Sequence, residues 1–285
     1  MQYLSPHVLK DNSLSVMGAA DLATEVMILA NLSHPNIVRI RGVSAADFDK
    51  ISFVQGYFLI LDRLYYTVEE KLPKWKKELP KWSMLSKKRQ MIELSKRLIA
   101  AYDLASALQY LHHRKIIYRD LKAQNAGFDA RGDIKLFNFE LSRDLKMEDK
   151  TVDGNYKLTG NTGTRRYIVP EVSLHKSYNF SADTYSFAIL LWEICALIRP
   201  FKNCTYEEHT ENVILGNTRP PAKKFWPLSI KLLLRSMWCK QASERPDFEY
   251  IMSVIDETIS KHIDKTKHMT CHRKSSFLRL SDNVY

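Results

Sequence analysis

The residues of this 285-residue chain with the plainest chemical potential lie in one octapeptide, Tyr118-Arg119-Asp120-Leu121-Lys122-Ala123-Gln124-Asn125. A carboxylate, an ammonium two residues on and an amide three further on can serve one reaction from a single loop. Asp120 can take the proton of an attacking hydroxyl, Lys122 can neutralise a phosphate, and Asn125 can offer an oxygen to magnesium. These are the needs of phosphoryl transfer. Thirteen residues after Asn125 comes Asn138-Phe139-Glu140, which brings a second amide oxygen.

Such a loop must be held by regular elements, and the apolar spacing predicts them. Ala19 to Leu32 reads as a helix with Leu22, Val26 and Leu29 on one face. His34-Pro35-Asn36 stops it, because the residue before a proline avoids the helical region. Ile37–Ile40 and Gly56–Leu61 read as buried strands. Residues 90–112 form a long helix with Leu94, Leu98, Ala101, Ala105 and Leu108 in one stripe. Lys115–Tyr118 and Asp133–Phe137 are short strand-like pieces on either side of the octapeptide, and helices follow near 183–198, 227–240 and 247–262. Beyond about residue 260 the chain is basic and polar and reads as a loose tail.

Composition sets the outer limits. With 45% hydrophobic and 26% charged residues, the chain is globular and neither fibrous nor disordered. Its four cysteines, Cys195, Cys204, Cys239 and Cys271, make no CxxC pair, which argues against a disulfide scaffold or a cysteine zinc site and for a reducing compartment. Nothing in residues 1–15 resembles a secretory signal, and the apolar run Tyr185 to Ile198 is too short to span a bilayer. A net charge of +11 suits anionic partners without choosing one. One segment concentrates that charge: Lys71, Lys74, Lys76, Lys77, Lys81, Lys87, Lys88 and Arg89 flank Trp75 and Trp82. Basic residues interleaved with aromatics can bind nucleic acid or an anionic surface, but a solvated loop and helix start with two half-buried tryptophans has the same signature.

The octapeptide resembles the catalytic loop of eukaryotic protein kinases, [HY]-R-D-L-K-x-x-N. Other stretches resemble the same family in the same order: Glu25 nine residues before His34-Pro35-Asn36-Ile37-Val38, Tyr57–Leu64 as the fifth strand and hinge, Gly163-Thr164-Arg165-Arg166-Tyr167-Ile168-Val169-Pro170-Glu171, Ser181-Ala182-Asp183-Thr184-Tyr185-Ser186-Phe187, and Trp238-Cys239 to Glu244-Arg245-Pro246-Asp247-Phe248. The details are most similar to the tyrosine-kinase-like group, and the L-K-x-x-N form to serine/threonine kinases. The resemblance implies an α+β, bilobal fold. Residues 1–64 would be a partial small lobe, rich in strand with one helix, 65–260 a large helical lobe, and 261–285 a flexible basic tail.

It also implies roles. Asp120 would accept the substrate hydroxyl proton, Lys122 would neutralise the γ-phosphate, and Asn125 would ligate magnesium, with Asn138 a weaker ligand. Glu25 would face the nucleotide, Leu61 would be the gatekeeper, and Asp62 and Leu64 would offer backbone groups to adenine. Thr164 would line the hydroxyl site. Arg119 would hold a phosphorylated residue of the activation segment, for which Thr159 and Thr162 are candidates. Leu29, Ile40, Tyr118 and Phe139 would stack as a hydrophobic spine. Glu171 and Arg245 would form a buried ion pair, and Asp183 would accept backbone N–H groups of the catalytic loop. The implied cofactors are ATP and magnesium, the partner a protein substrate or signalling protein rather than a specific nucleic acid, and the compartment the cytoplasm.

Three departures from the family pattern bear on activity. Asn138 stands where the family places the aspartate of D-F-G. Glu140 replaces its glycine, which predicts a loop locked by the penalty of a side chain in glycine-only angles. No G-x-G-x-x-G precedes Glu25, so the roof of the nucleotide pocket is absent from this sequence. Lys10 falls fifteen residues before Glu25, but the register with a longer connection puts Gln2 at the lysine position. The readings in play are therefore a serine/threonine kinase, a catalytically impaired pseudokinase acting as a scaffold, and a surface binder using residues 71–89.

Overall fold

A computed structural model describes residues 2–3, 22–43, 58–79 and 86–262. Lys10, Gly56, Tyr57, Lys81, Trp82, Cys271 and the tail beyond 262 lie outside the described residues. The first sheet has the order β1-β3-β2, all antiparallel, from β1 (Gln2–Tyr3), β2 (Ile40–Val43) and β3 (Phe58–Leu61). Gln2 pairs with Leu59. Helix α1 (22–30) lies between β1 and β2 in the chain and ends before His34, as Pro35 dictates.

The strand expected at Ile37–Ile40 is displaced. Only Ile40 joins the ladder, and β2 runs on to Val43. Residues 36–38 instead spend their backbone bonds on the large lobe: Val38 N donates to Leu136 O (2.9 Å) and Leu136 N donates to Asn36 O (2.8 Å). Backbone polar groups must be paired once buried, and here the partner across the cleft takes precedence over the sheet.

The large part is helical. Helix α3 (Lys87–His113) is capped by Ser86, whose hydroxyl accepts from Arg89 N at 3.3 Å. Its Leu94, Leu98, Ala101, Leu104 and Leu108 are buried, and the alanines let neighbouring helices approach closely. Helix α5 (Ser181–Ala196) is buried from Ala182 to its end, which fits its apolar run. Helices α7 (Leu228–Met237) and α8 (Phe248–Ser260) pack around the pair and close one continuous core.

The segment from residue 71 is not a loop. Helix α2 (Val68–Glu78) starts at a capping box in which Thr67 Oγ1 accepts from Glu70 N and the Glu70 carboxylate accepts from Thr67 N. Trp75 sets the edge of its ring on Phe128, and Lys71 and Lys74 fold over the face of Tyr66. The tryptophan is half-buried against the core, and Lys71 and Lys74 cover an aromatic ring.

A second sheet, β4-β6-β7, carries the candidate site. It consists of β4 (Tyr66–Thr67), β6 (Ala126–Phe128) and β7 (Ile134–Leu136), while β5 (Ile116–Ile117) pairs with β8 (Arg143–Asp144). The octapeptide therefore runs between β5 and β6, tied down at both ends.

Candidate functional site

The loop between β5 and β6 turns on an unusual backbone angle. Arg119 has φ +70°, a left-handed conformation that costs a side-chain-bearing residue energy. Asp183, 1% exposed, holds it there: its two carboxylate oxygens accept from Tyr118 N and Arg119 N, each at 2.9 Å. His112 Nε2 lies 2.9 Å from the same carboxylate. Gly163, at φ +108°, passes so close that a Cβ there would sit 2.7 Å from Arg119 O, so this crossing admits only glycine.

The turn delivers Asp120 to three side-chain partners. Its Oδ2 accepts from Lys122 Nζ at 2.6 Å and from Asn125 Nδ2 at 2.8 Å, and its Oδ1 accepts from the Thr164 hydroxyl at 2.8 Å. Lys122 Nζ also donates to Thr164 Oγ1 at 2.9 Å. The four residues form one closed cluster around a carboxylate that is 6% exposed. Asn125 Nδ2 is spent on Asp120, its carbonyl included, so Oδ1 is the amide atom left for an electrophile.

Asn138 lines a cleft of about 650 Å3 with Val38, Leu61, Asp62, Leu64 and Phe137. Its φ of +62° is one that asparagine and aspartate tolerate better than most residues. Glu140 is not among the described residues with positive φ, so the expected lock by an ill-suited side chain is absent: the backbone here makes no demand that only glycine meets. At the hinge, Asp62 N donates to Arg39 O (3.0 Å) and its carboxylate accepts from Arg41 at 2.6 Å. Only the Asp62 carbonyl can then serve a ligand. Beneath the cleft, a Cβ on Gly127 would meet Leu64 Cδ1 at 2.9 Å, so Leu64 and Phe137 rest directly on the bare backbone of β6.

The helix α1 carboxylate, Glu25, is fully buried, and its Oε1 accepts from Phe139 N at 2.8 Å. Phe139 and Tyr118 meet edge to face at 5.2 Å. Leu29 joins them in the same core and Ile40 packs on it partly exposed. Burial, followed by the carboxylates of Asp120, Glu25 and Asp183, pushes the Tyr118 phenol well above its ordinary range. It therefore stays protonated and donates to Phe137 O at 2.5 Å.

In the segment after Asn138, Arg119 Nη1 donates to Thr159 Oγ1 (3.0 Å) and to the Tyr178 hydroxyl (3.1 Å), which donates in turn to Thr159 O (2.9 Å). Thr162 is not brought to Arg119; its hydroxyl donates to Thr159 O at 3.1 Å. Glu171 and Arg245 form a two-pronged pair, at 2.5 and 3.1 Å. Sequence reasoning missed Tyr178, His112 and the bond from Tyr167 to Glu193. Tyr178, His112 and Glu193 lie in no motif, and each is joined to the site only by the fold. Among the described residues no helix is long and apolar enough to cross a membrane, no cluster of three His, Cys, Asp or Glu side chains could hold a metal, and Cys195, Cys204 and Cys239 are free thiols.

A model of the protein tyrosine and serine/threonine kinase family matches residues 8–255. Among curated proteins, the chain is 29% identical over 248 residues to the serine/threonine/tyrosine-protein kinase HT1 of Arabidopsis thaliana, covering 86% of this chain and 57% of that protein. It is 26% identical over 271 residues to the serine/threonine-protein kinase STY17 of the same plant, covering 95% and 43%. It is 30% identical over 238 residues to the dual specificity protein kinase shkC of Dictyostelium discoideum, covering 82% and 42%. The chain thus spans about half the length of these relatives.

Proposed function

The chain belongs to the protein tyrosine and serine/threonine kinase family, and on that premise we propose that it transfers the γ-phosphoryl group of ATP to a serine or threonine hydroxyl of a protein. One observation carries the reading: Asp120 is held by Lys122, Asn125 and Thr164 in a single hydrogen-bonded cluster. Asp120 takes the proton of the incoming hydroxyl. Thr164 marks the position of that hydroxyl, because its own already sits on Asp120 Oδ1. Lys122, bonded to both, is free to swing its charge toward a phosphate and away from the carboxylate. Arg119 is placed to pair with a phosphate on Thr159, for which a guanidinium fork is the better partner than the present hydroxyl.

Magnesium and nucleotide fit the chemistry of the residues in part. Asn125 Oδ1 and the Asn138 amide oxygen would hold the ion. Both are neutral, so the phosphates themselves must supply most of its negative ligand charge. The Asp62 carbonyl and the Leu64 N–H would read adenine below Leu61, and Glu25 fixes the start of the Asn138 segment through Phe139. When bound, MgATP supplies the electrophilic phosphorus and the cation that offsets its charge; the chain supplies base, orientation and a dry floor. We divide the chain as a small lobe to residue 64, a helical lobe to 260 and a basic tail. We place its action in the cytoplasm, in keeping with its free thiols.

The test is transfer of labelled γ-phosphate by the purified full chain to a protein substrate, with phosphoamino-acid analysis. Wild type should label serine or threonine, and Asp120→Asn should lower the rate at least about a hundredfold. A wild type that transfers nothing at any magnesium or manganese concentration overturns the reading. It would favour a scaffold, the second reading, which rests on the uncharged Asn138.

A further inference from the structure

Three guanidinium groups lie near the hydroxyl site: Arg165 and Arg166 follow Thr164 directly in the chain, and Arg199 lies 3.7 Å from Glu69, whose carboxylate accepts from Gln124 of the octapeptide. We infer that this ledge reads an anionic side chain in the peptide immediately flanking the phosphoacceptor. The inference rests on the phosphotransfer reading above and names its substrate class.

Position comes first. Thr164 is pinned to Asp120 and Lys122, so Arg165 and Arg166, the next two residues, border whatever segment brings its hydroxyl to Asp120. Arg165 is laid over the ring of Tyr206, 5.6 Å from its centroid, which steadies the long side chain. Arg166 Nε is shut off from solvent with no hydrogen-bond partner among the described residues. Burial first, then the cations of Arg199 and Arg165, hold the Arg166 guanidinium below its ordinary range. The three positive charges therefore feel one another.

The acidic groups nearby do not cancel them. Glu193 accepts from the Tyr167 hydroxyl at 2.5 Å, and burial pushes it up to about 7, so near neutral pH only part of its population is charged. Glu69 lies 3.7 Å from Arg199 with both groups largely solvated, a pairing worth little, and it also accepts from Gln124 at 2.6 Å. Glu208 is spent on the cap at Thr205 N (2.8 Å), and Glu207 is exposed. His209 is 2% exposed, its Nε2 likewise has no partner, and burial and the neighbouring arginines lower it to about 4, so it adds a polar atom but no charge at pH 7. A guanidinium cluster suits a carboxylate or phosphate, which it can grip with two parallel bonds.

The experiment measures binding of labelled peptides to the full chain by fluorescence anisotropy. Each peptide has alanine at the acceptor position and glutamate, alanine or lysine on the residues flanking it. The glutamate peptide should bind about tenfold tighter than the alanine peptide, and the lysine peptide weaker than both. Added salt should narrow the gap. The advantage should vanish in Arg165→Ala/Arg199→Ala, and Arg165→Glu should shift preference to the lysine peptide, with thermal melts confirming that the variants fold. Equal binding of the three peptides to wild type overturns the inference without any variant, as does a glutamate advantage that survives the double substitution. Binding requires no transfer. A chain that prefers acidic peptides yet phosphorylates nothing would sink the phosphotransfer reading alone, whereas an active chain without the preference would sink only this one.

Discussion

Asn138 keeps the backbone of a metal-binding aspartate and lacks its charge. At φ +62° either residue is at home, so Asn138→Asp should leave the fold unmoved and strengthen the hold on magnesium. We expect kcat to rise at least about tenfold, which is about 1.4 kcal/mol of barrier, and the magnesium requirement to fall. Steady-state assays across magnesium concentrations check both; an unchanged rate would mean that this position does not limit the chemistry. Glu25 is a different case, because its bond to Phe139 N is already made. Glu25→Ala strands a buried N–H and should cost about 1–3 kcal/mol in denaturant unfolding, whatever sits opposite it in the nucleotide site. Glu193 gives a pH signature. Its folded carboxyl holds its proton up to about 7, against an ordinary value of 4.5. The stability it contributes is present below about 4.5 and is lost as pH rises toward 7, because the unfolded chain releases that proton first. Glu193→Gln should remove this decline. The stability of the variant relative to wild type should therefore grow between pH 5 and pH 7.5, as read from urea midpoints.

Helix α2 shows what an element can hide from its own sequence. Four lysines and Pro73 make residues 71–79 look like a loop, yet Thr67 and Glu70 cap a helix there, and Trp75 is drawn against the core. The legible signal was the Thr-x-x-Glu box; the basic charge obscured it. Pro73 cannot donate to the carbonyl one turn back and crowds it, so Pro73→Ala should stabilise the chain by about 1–2 kcal/mol, with the urea midpoint raised and the slope unchanged. Helices α3 and α5 were plain in the sequence because their apolar residues recur at helical spacing over many turns. The strand near Ile37 was misplaced because period and propensity cannot tell a sheet neighbour from a partner across the cleft, and Leu136 took the bonds. The Asp120 cluster was legible for a simpler reason: Asp120, Lys122 and Asn125 are near in the chain. Tyr178, His112 and Glu193 were not, because they reach the site only through folded contacts.

At the scale of the molecule, the segment that carries Thr164 is anchored to the helical body by Glu171 and Arg245. The Arg245 side chain is fully buried and also donates to the carbonyls of Cys239 and Ser181. Arg245→Met would leave the carboxylate and two carbonyls without their partner. It should cost about 3–5 kcal/mol, seen as a lower thermal midpoint and early proteolysis of residues 159–171. The frame is thus fastened at points away from the chemistry: Asp183 under the loop, Arg245 beneath the segment, Glu25 at the start of the Asn138 turn. Such a frame is indifferent to what it carries. In the genetic code, asparagine and aspartate are separated by a single purine exchange, and the turn at residue 138 accepts both. For a lineage bearing this gene, catalytic strength at that position is set by one of the shortest mutational steps available. The fold offers selection nothing with which to notice the step in either direction.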